Sequence, residues 1–301
     1  MVKNPVTSSP FYAWLRVIRP LNLIIIAIAI IVLRHCYDGE FLKSGDWLLE
    51  CLMTLPLVFL AAGGNVINDY FDIKEDRINK PERALVGRIL KRRIALVSHW
   101  VLTTIGIVLA ALLSWKIGNS IPIWIAVAIS IVLFFYSTQL KGRVLIGNIA
   151  VAASISAVIP FAYADKIDTS WNTLMNITMF IWEFGALFGL TFLIVFTREL
   201  AKDIEDIDGD KKAGHLTLPI AYNTNASWRL ITALVTILIF SVGWININSE
   251  INLFLGFFTG VTLAIANYTW KKKATQVSAW LKLLLAVGLL LCYVNNSISP
   301  V

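Results

Sequence analysis

The feature that most constrains this chain is a series of long apolar segments that contain few charged residues. Hydrophobic residues make up 57% of the 301-residue sequence and charged residues only 15%, whereas a soluble domain is about one-quarter charged. A segment of about 20 apolar residues is long enough to cross a bilayer as a helix. Because the segments lack the alternating pattern of a membrane barrel, the sequence predicts an all-α integral membrane protein.

Nine segments of the sequence reach the length of a transmembrane helix. They lie at about residues 17–36, 47–71, 94–115, 119–138, 144–164, 171–198, 227–247, 251–270 and 277–296. No linker rich in proline or serine divides the chain, so we predict a single transmembrane domain over residues 1–301. An acidic and then basic stretch follows both span 2 and span 6, which makes spans 1–4 and 5–8 a candidate internal repeat.

The Lys and Arg residues predict how the chain is oriented in the membrane. Of the 26, 21 lie on one side, only four lie on the other, and Lys282 lies inside the last span. The larger group falls in or beside the N-terminal segment and the connections at 72–93, 139–143, 199–228 and 271–276. The smaller group is Arg34, Lys43, Lys116 and Lys166. Because cytoplasmic connections are enriched in Lys and Arg, we expect a cytoplasmic N-terminus and an external C-terminus, which requires an odd number of spans.

Charge and cysteine usage exclude other classes of protein. The net charge of +7 is explained by cytoplasmic connections, so we expect no nucleic-acid partner. Cys36, Cys51 and Cys292 form no CxxC pattern, which predicts neither a disulfide framework nor a zinc site. The N-terminus lacks a cleavage site behind a short apolar core, so the first helix is expected to be retained.

Two acidic stretches with the same spacing follow spans 2 and 6. The first contains Asn65, Asp69, Asp72 and Asp76, with Asn68 beside them, and the second contains Glu199, Asp203, Asp206 and Asp210. Positions i, i+4, i+7 and i+11 share one face of a helix. The Asp-Gly-Asp sequence at 208–210 suggests a turn, so we expect Asp210 to lie just past its helix.

The one-face spacing favours a cation-binding site over a solvated acidic loop. Carboxylates on one helix face repel each other, and Mg²⁺ prefers carboxylate oxygens while leaving positions for phosphate oxygens. Basic side chains nearby could bind the phosphate charge that metal leaves uncovered. These are Arg77, Lys80, Arg83, Lys141, Arg143, Arg198, Lys202, Lys211 and Lys212. The pattern therefore predicts a magnesium-dependent diphosphate site.

These motifs resemble those of the UbiA superfamily of intramembrane prenyltransferases. The first resembles the family's NDxxDxxxD at Asn68–Asp76, and the second its DxxDxxxD at Asp203–Asp210. The flanking phrases agree along nearly the whole chain: "RPLN" from Arg19, "DRINKPER" from Asp76, "YSTQLK" from Tyr136, "LIGN" from Leu145 and "TLPI" from Thr217. One departure is "RALVGRI" at Arg83–Ile89, where the family has a Pro and a Ser.

The resemblance implies a fold and a set of functional residues. The nine helices would form a bundle around a central cavity open to lipid, and Mg²⁺ would bind an isoprenyl diphosphate whose prenyl group is transferred. The implied metal ligands are Asn68, Asp69, Asp72, Asp76, Asp203, Asp206 and Asp210. The implied catalytic residues are Asp69, Asp72, Asp203, Asp206, Tyr136 and Lys141. The implied substrate-binding residues are Asn22, Asn68, Arg77, Arg83, Lys141, Asn148, Arg198 and Lys202.

Several interpretations of the acceptor substrate stay open. The chain most resembles enzymes that add a second geranylgeranyl group to geranylgeranylglyceryl phosphate, which would make an ether. Three phrases carry this resemblance: "NDYFDIKEDRINKPER" from Asn68, "YSTQLKGRVLIGN" from Tyr136 and "KDIEDIDGDKKAGHLTLPI" from Lys202. Aromatic acceptors such as 4-hydroxybenzoate or dihydroxynaphthoate are the alternative. A cation-coupled transporter is an alternative from a different class of protein. The charged residues of a transporter site usually lie near the bilayer midplane, whereas the two acidic stretches here follow the ends of predicted spans. Glu183, a carboxylate within span 6, has no assigned role.

Overall fold

The computed structural model describes residues 9–38, 46–73, 76–77, 84–167, 184–247 and 252–298. These residues are largely helical, and the only β-pairing among them is a single bridge between Val86 and Leu90. The chain forms two compact units. The first is Met1–Ile30 with Ser44–Leu140, and the second is Ile31–Lys43 with Lys141–Val301. The single domain and the internal repeat stay predictions.

The first unit contains the helices that carry the first aspartate motif. They are α1 (Pro10–Ile18), the first part of α2 (Pro20–Asp38), α3 (Trp47–Phe71), α4 (Arg92–Ile117) and α5 (Ile121–Phe135), followed by a π-helical turn at Tyr136–Leu140. Side chains cap two of the helix starts. Ser9 Oγ accepts a bond from the Tyr12 N–H, and an Asp46 carboxylate oxygen accepts one from Leu49 N–H at 3.0 Å, which satisfies N–H groups without an intrahelical partner.

Helices α3 and α4 pack closely because glycines lie between them. A Cβ at Gly106 would come within 2.9 Å of Leu60 Cγ and 3.0 Å of the Pro56 carbonyl oxygen. A Cβ at Gly63 would come within 2.6 Å of Thr103 Oγ1. Small residues let helix backbones approach in membranes, where van der Waals packing drives association. This contact fixes the helix that ends in the first motif.

The second unit is built around the helix that carries the second motif. Its helices are α6 (Ile146–Ser156), α7 (Val158–Ala162), α8 (Ala186–Glu205), α9 (Ile207–Ala213), α10 (Leu218–Ala221), α11 (Thr224–Ile247), α12 (Asn252–Trp270) and α13 (Ala274–Ile298). Helix α8 packs against α6, α11 and α13. The core between these helices includes the fully buried side chains of Leu200, Ile231, Leu238, Ile265 and Leu281.

The surface of the helices is apolar, as expected for contact with lipid. Trp115, Trp124, Phe240 and Trp270 are all more than two-thirds exposed, which a water-soluble protein seldom tolerates over such an area. Hydroxyl groups within the helices donate to carbonyl oxygens four residues earlier, as Thr262 does to Phe258 at 2.8 Å. Such bonds pair these hydroxyl groups within their own helix, as a low-dielectric environment requires. The protein is an integral membrane protein.

Five helical stretches in the described part of the chain, the first of which includes the break at Arg19, are long and apolar enough to cross a membrane. They are Pro10–His35, Trp47–Phe71, Arg92–Ile117, Ile121–Leu140 and Thr224–Val242. Ile146–Ala162 and Ala274–Leu289 are shorter apolar helices. The predicted sixth span, 171–198, begins outside the described residues, so the total of nine stays a prediction.

Two spans that the sequence predicts as continuous are broken in the structure. The predicted span 17–36 is interrupted at Arg19, whose φ of 57° is left-handed, and α2 begins at Pro20. The predicted span 144–164 is divided at Ala157 into α6 and α7. Proline explains both breaks, because Pro20 and Pro160 cannot donate a backbone hydrogen bond to the preceding turn.

Candidate active site

The first aspartate motif begins in the last turn of α3. Asp69 is 12% exposed, and its Oδ1 lies 2.6 Å from a guanidinium nitrogen of Arg19. Arg19 occupies the left-handed break between α1 and α2, which directs its side chain to the end of α3. The carboxyl end of a helix carries partial negative charge, so a carboxylate there needs a nearby cation. Arg19 supplies that cation.

The next member of the motif, Asp72, ends α3. Its side chain is 5% exposed, and the Asn68 amide nitrogen donates to Asp72 Oδ2 at 2.6 Å. The Asp72 N–H donates to the Asn68 carbonyl oxygen, and the Asp76 N–H donates to the Asp72 carbonyl oxygen at 2.8 Å. These bonds span four residues, so helical geometry returns at Asp76 and the predicted one-face spacing is preserved at these positions.

The second motif lies at the corresponding end of α8. Asp203 Oδ2 accepts a hydrogen bond from the Asn148 amide nitrogen on α6 at 2.9 Å. Asp203 lies beyond the predicted sixth span, and burial raises its pKa to about 7, although the bond from Asn148 opposes that rise. A carboxyl with a pKa raised by burial is charged at neutral pH only in part, unless a cation approaches it. Asp203 is therefore suited to bind a cation.

Glu199, one turn before Asp203, is already paired with cations. It is 8% exposed. Arg198 donates to Glu199 Oε1 at 2.7 Å and Lys202 donates to Oε2 at 2.8 Å. Both predicted phosphate-binding cations of α8 therefore contact this carboxylate. Glu199 holds the two cations beside the motif. The spacing pattern alone could not distinguish this role from metal binding.

The last two members of the second motif lie on either side of a helix break. Asp206 is exposed between α8 and α9, and Asp210 lies within α9. The prediction of a turn at Asp-Gly-Asp is wrong, since the break falls earlier and the backbone from Ile207 to Ala213 is helical. Both oxygens of Asp210 accept bonds from the following turn, one from His215 Nδ1 and one from Thr217 Oγ1, each at 3.4 Å.

The other predicted site residues occupy varied environments. Tyr136 is half-buried at the start of the π-helical turn, and such turns are frequent at functional sites. Lys141 is half-buried, whereas Asn22 and Arg77 are exposed. Arg83 and Glu183 lie outside the described residues, so their predicted or open roles are unchanged.

The donor chemistry of both motifs fits Mg²⁺ that is shared with phosphate. Among the described residues, no three His, Cys, Asp or Glu side chains come together as a complete metal site. Mg²⁺ does not need one, because it commonly binds one or two carboxylates and completes its coordination with water and substrate phosphates. Asp69 with Asp72, and Asp203 with Asp206, offer such carboxylates at the ends of α3 and α8.

Sequence reasoning missed two residues that contact the motif carboxylates, Arg19 and His215. Arg19 belongs to the "RPLN" phrase, but it was not assigned to the site, although it pairs with Asp69. The proline that follows it was the available signal, because it predicts a helix break there. His215 carried no metal-ligand spacing and gave no signal, yet it contacts Asp210.

Comparison with known proteins identifies the family of the chain. The UbiA prenyltransferase family model matches residues 39–289. A digeranylgeranylglyceryl phosphate synthase from Methanobrevibacter smithii is 30% identical over 95% of this chain and 97% of its own. A solved structure of a digeranylgeranylglyceryl phosphate synthase superposes with a TM-score of 0.70 at 28% identity, over 95% of this chain and 98% of the other.

A more distant structure shares the fold. A UbiA homologue from Archaeoglobus fulgidus bound to DMAPP and Mg²⁺ has a TM-score of 0.61 at 16% identity, over 93% of this chain and 98% of the other. The family model covers most of the sequence, including both aspartate motifs. The protein is therefore a prenyltransferase, and the chain belongs to the UbiA prenyltransferase family.

Proposed function

We propose that this prenyltransferase transfers a geranylgeranyl group from geranylgeranyl diphosphate to the hydroxyl of geranylgeranylglyceryl phosphate. The product is digeranylgeranylglyceryl phosphate, which carries a second ether bond. The observation that carries the proposal is the match, over almost the full length of both chains, to relatives named digeranylgeranylglyceryl phosphate synthase. The motif geometry supports the diphosphate part of the proposal, because paired carboxylates lie at the ends of α3 and α8.

We assign the metal-binding role to Asn68, Asp69, Asp72, Asp76, Asp203, Asp206 and Asp210. Bound Mg²⁺ would offset the negative charge that develops on the diphosphate as it leaves. The A. fulgidus homologue bound to DMAPP and Mg²⁺ supports this choice of ion. Asn68 and Asn148 orient Asp72 and Asp203 through short hydrogen bonds, each to one carboxylate oxygen.

The basic residues near the motifs are assigned to the diphosphate. Arg198 and Lys202 are held by Glu199, and Arg19 is held by Asp69. A guanidinium or ammonium group beside a leaving phosphate stabilises the charge of the transition state more than that of the ground state. Lys141 and Tyr136 are proposed to contact the diphosphate or the acceptor, and Asn22, Arg77 and Arg83 to complete the substrate site.

The proposed reaction replaces one carbon–oxygen bond with another and transfers one proton. The allylic carbon–oxygen bond of the donor breaks, and diphosphate departs with the electron pair. The acceptor oxygen then bonds to the allylic carbon, and its proton passes to a carboxylate or to the departing diphosphate. An alcohol is a weak nucleophile at neutral pH, but it suffices here because the electrophile has cationic character. The apolar bundle keeps out water that would otherwise compete.

A competition among acceptors tests the proposal. Purified protein in lipid nanodiscs would receive labelled geranylgeranyl diphosphate, Mg²⁺ and equal amounts of geranylgeranylglyceryl phosphate, 4-hydroxybenzoate and dihydroxynaphthoate. We expect one labelled product with the mass of digeranylgeranylglyceryl phosphate. A product with a new carbon–carbon bond to an aromatic ring would show that the acceptor assignment is wrong and would leave the family assignment intact.

A further inference from the structure

The segment that carries Lys141 packs against the turn that follows the second aspartate motif. The Leu216 N–H donates to the Gly142 carbonyl oxygen at 2.8 Å. A Cβ at position 142 would lie 2.8 Å from Cδ2 and 3.2 Å from Cγ of the His215 ring, closer than van der Waals contact allows. Gly142 is thus the point at which the segment touches the turn, and only a residue without a side chain fits there.

The same histidine is bonded to the motif itself. Its backbone N–H donates to the Asp210 carbonyl oxygen at 2.9 Å, and its ring Nδ1 donates to Asp210 Oδ1. The side chains of His215 and Asp210 are only 16% and 18% exposed, so these bonds are partly shielded from water. Gly214, with a left-handed φ of 78°, ends α9 and turns the chain so that His215 faces back towards Asp210.

These contacts connect two sets of charges that the proposed reaction needs together. Lys141 and Arg143 flank Gly142 in the sequence, so their positions follow the position of Gly142. Asp210 belongs to the second motif. We propose that His215 is a positioning residue, which holds the Lys141–Arg143 segment against the second motif so that its cations and the motif carboxylates engage one diphosphate. This inference rests on the function proposed above.

A double-mutant cycle between Gly142 and His215 separates this role from general packing. Gly142→Ala should raise KM for geranylgeranyl diphosphate and lower kcat/KM by about 10- to 100-fold, the usual range for residues that orient ligating side chains. His215→Ala removes the ring that the new methyl group meets. In that background, Gly142→Ala should lower kcat/KM by less than about threefold, since the two sites are coupled. Equal losses in both backgrounds would overturn the proposal.

A second pair of variants tests the hydrogen bond to Asp210. His215→Asn places an amide N–H near the position of Nδ1 and should keep KM close to that of the wild type. His215→Leu has similar bulk but no donor, and it should raise KM with little change in kcat. A purely structural role would instead lower the melting temperature of both variants alike and leave KM unchanged, which would contradict the positioning role.

A failure of this inference can be distinguished from a failure of the proposed function. If the wild type transfers a prenyl group but Gly142→Ala does so equally well, the inference is wrong and the function stands. If the wild type transfers none to any acceptor, the proposed function fails. The same cycle is then measured as the dissociation constant for geranylgeranyl diphosphate with Mg²⁺, without an acceptor. Coupling between Gly142 and His215 in that constant supports the inference, and its absence overturns it.

Discussion

At the scale of single residues, the two motifs place carboxylates where helices least favour them. Asp69 and Asp203 lie in the last turns of α3 and α8, near the negative ends of the helix dipoles. Partial burial increases the cost of the charge. Arg19 offsets it for Asp69, while Asn148 gives Asp203 only a neutral donor. The second motif is therefore the one that most needs an external cation.

Substitution of a motif carboxylate should remove activity without unfolding the protein. We expect Asp72→Asn and Asp203→Asn each to lower kcat/KM by more than about 100-fold, because loss of a direct ligand should exceed the 10- to 100-fold effect of losing an outer partner. Activity is measured with labelled geranylgeranyl diphosphate, and folding by the melting temperature. Asp208→Asn, at an exposed position off the stripe, is the matched control. Near-normal turnover in both motif variants would exclude this site.

Substitution of Asn148 tests whether its buried amide orients Asp203 or only joins two helices. Its side chain is 8% exposed and bonds Asp203 across α6 and α8. We expect Asn148→Leu, which preserves bulk, to lower kcat/KM by about 10- to 100-fold as Asp203 loses its orienting partner. Enzyme kinetics and thermal unfolding are compared on the same preparation. A lower melting temperature with unchanged kcat/KM would assign Asn148 to helix packing alone.

The residue pattern predicted the motif side chains but not their partners. The 3.6-residue period placed Asp69 and Asp72, and Asp203 and Asp206, near the ends of α3 and α8, which is where the structure has them. Arg19 and Asn148 contact Asp69 and Asp203 from 50 and 55 residues away in the sequence. Periodicity reports which residues share a helix face, but a contact across such a distance depends on how helices pack.

At the scale of helices, the lengths of the apolar segments predicted where the helices lie, but the helix breaks occur at prolines. The spans at 47–71, 94–115 and 227–247 correspond to single helices. Those at 17–36 and 144–164 do not, because hydropathy is insensitive to a single missing N–H at Pro20 or Pro160. The π-helical turn at Tyr136–Leu140 has no signature in hydropathy either, since it changes the hydrogen bonding and not the composition.

The close contact between α3 and α4 should be sensitive to a single methyl group. In Gly106→Ala the new Cβ would meet Leu60 and the Pro56 carbonyl oxygen at 2.9–3.0 Å, and overpacking costs about 1–3 kcal/mol. We expect a lower melting temperature in detergent. Gly189→Ala is the control, because nothing lies within 4 Å of its Cβ and alanine stabilises a helix relative to glycine. Equal melting temperatures for the two variants would contradict the packing described for α3 and α4.

At the scale of the whole molecule, the bilayer covers the apolar side chains that the helices leave exposed. The large aromatic side chains on the helix surfaces, such as Trp115 at 84% and Trp270 at 87% exposure, are accounted for by lipid contact. The division of Lys and Arg into 21 and four residues predicts which ends of the spans face the cytoplasm. In the predicted topology, both aspartate motifs lie at the ends that carry the larger group.

Cysteine accessibility tests this orientation. After replacement of the native cysteines, Arg88→Cys and Lys212→Cys should resist an impermeant thiol reagent added to intact cells and react once the cells are opened. Lys166→Cys, on the opposite side in the predicted topology, should react in intact cells and serves as the control for reagent activity. Labelling of position 88 or 212 from outside would contradict the predicted orientation.

Formation of the diether from labelled geranylgeranyl diphosphate and geranylgeranylglyceryl phosphate, with and without Mg²⁺, tests the central claim most directly. The purified protein is stripped of metal with a chelator, and product is followed by mass and by diphosphate release. We predict no transfer in the stripped protein, and restoration of both product and diphosphate in equal amounts when Mg²⁺ is added. Undiminished transfer without divalent metal, or no prenyl transfer to any acceptor with it, would contradict the proposed magnesium-dependent prenyl transfer.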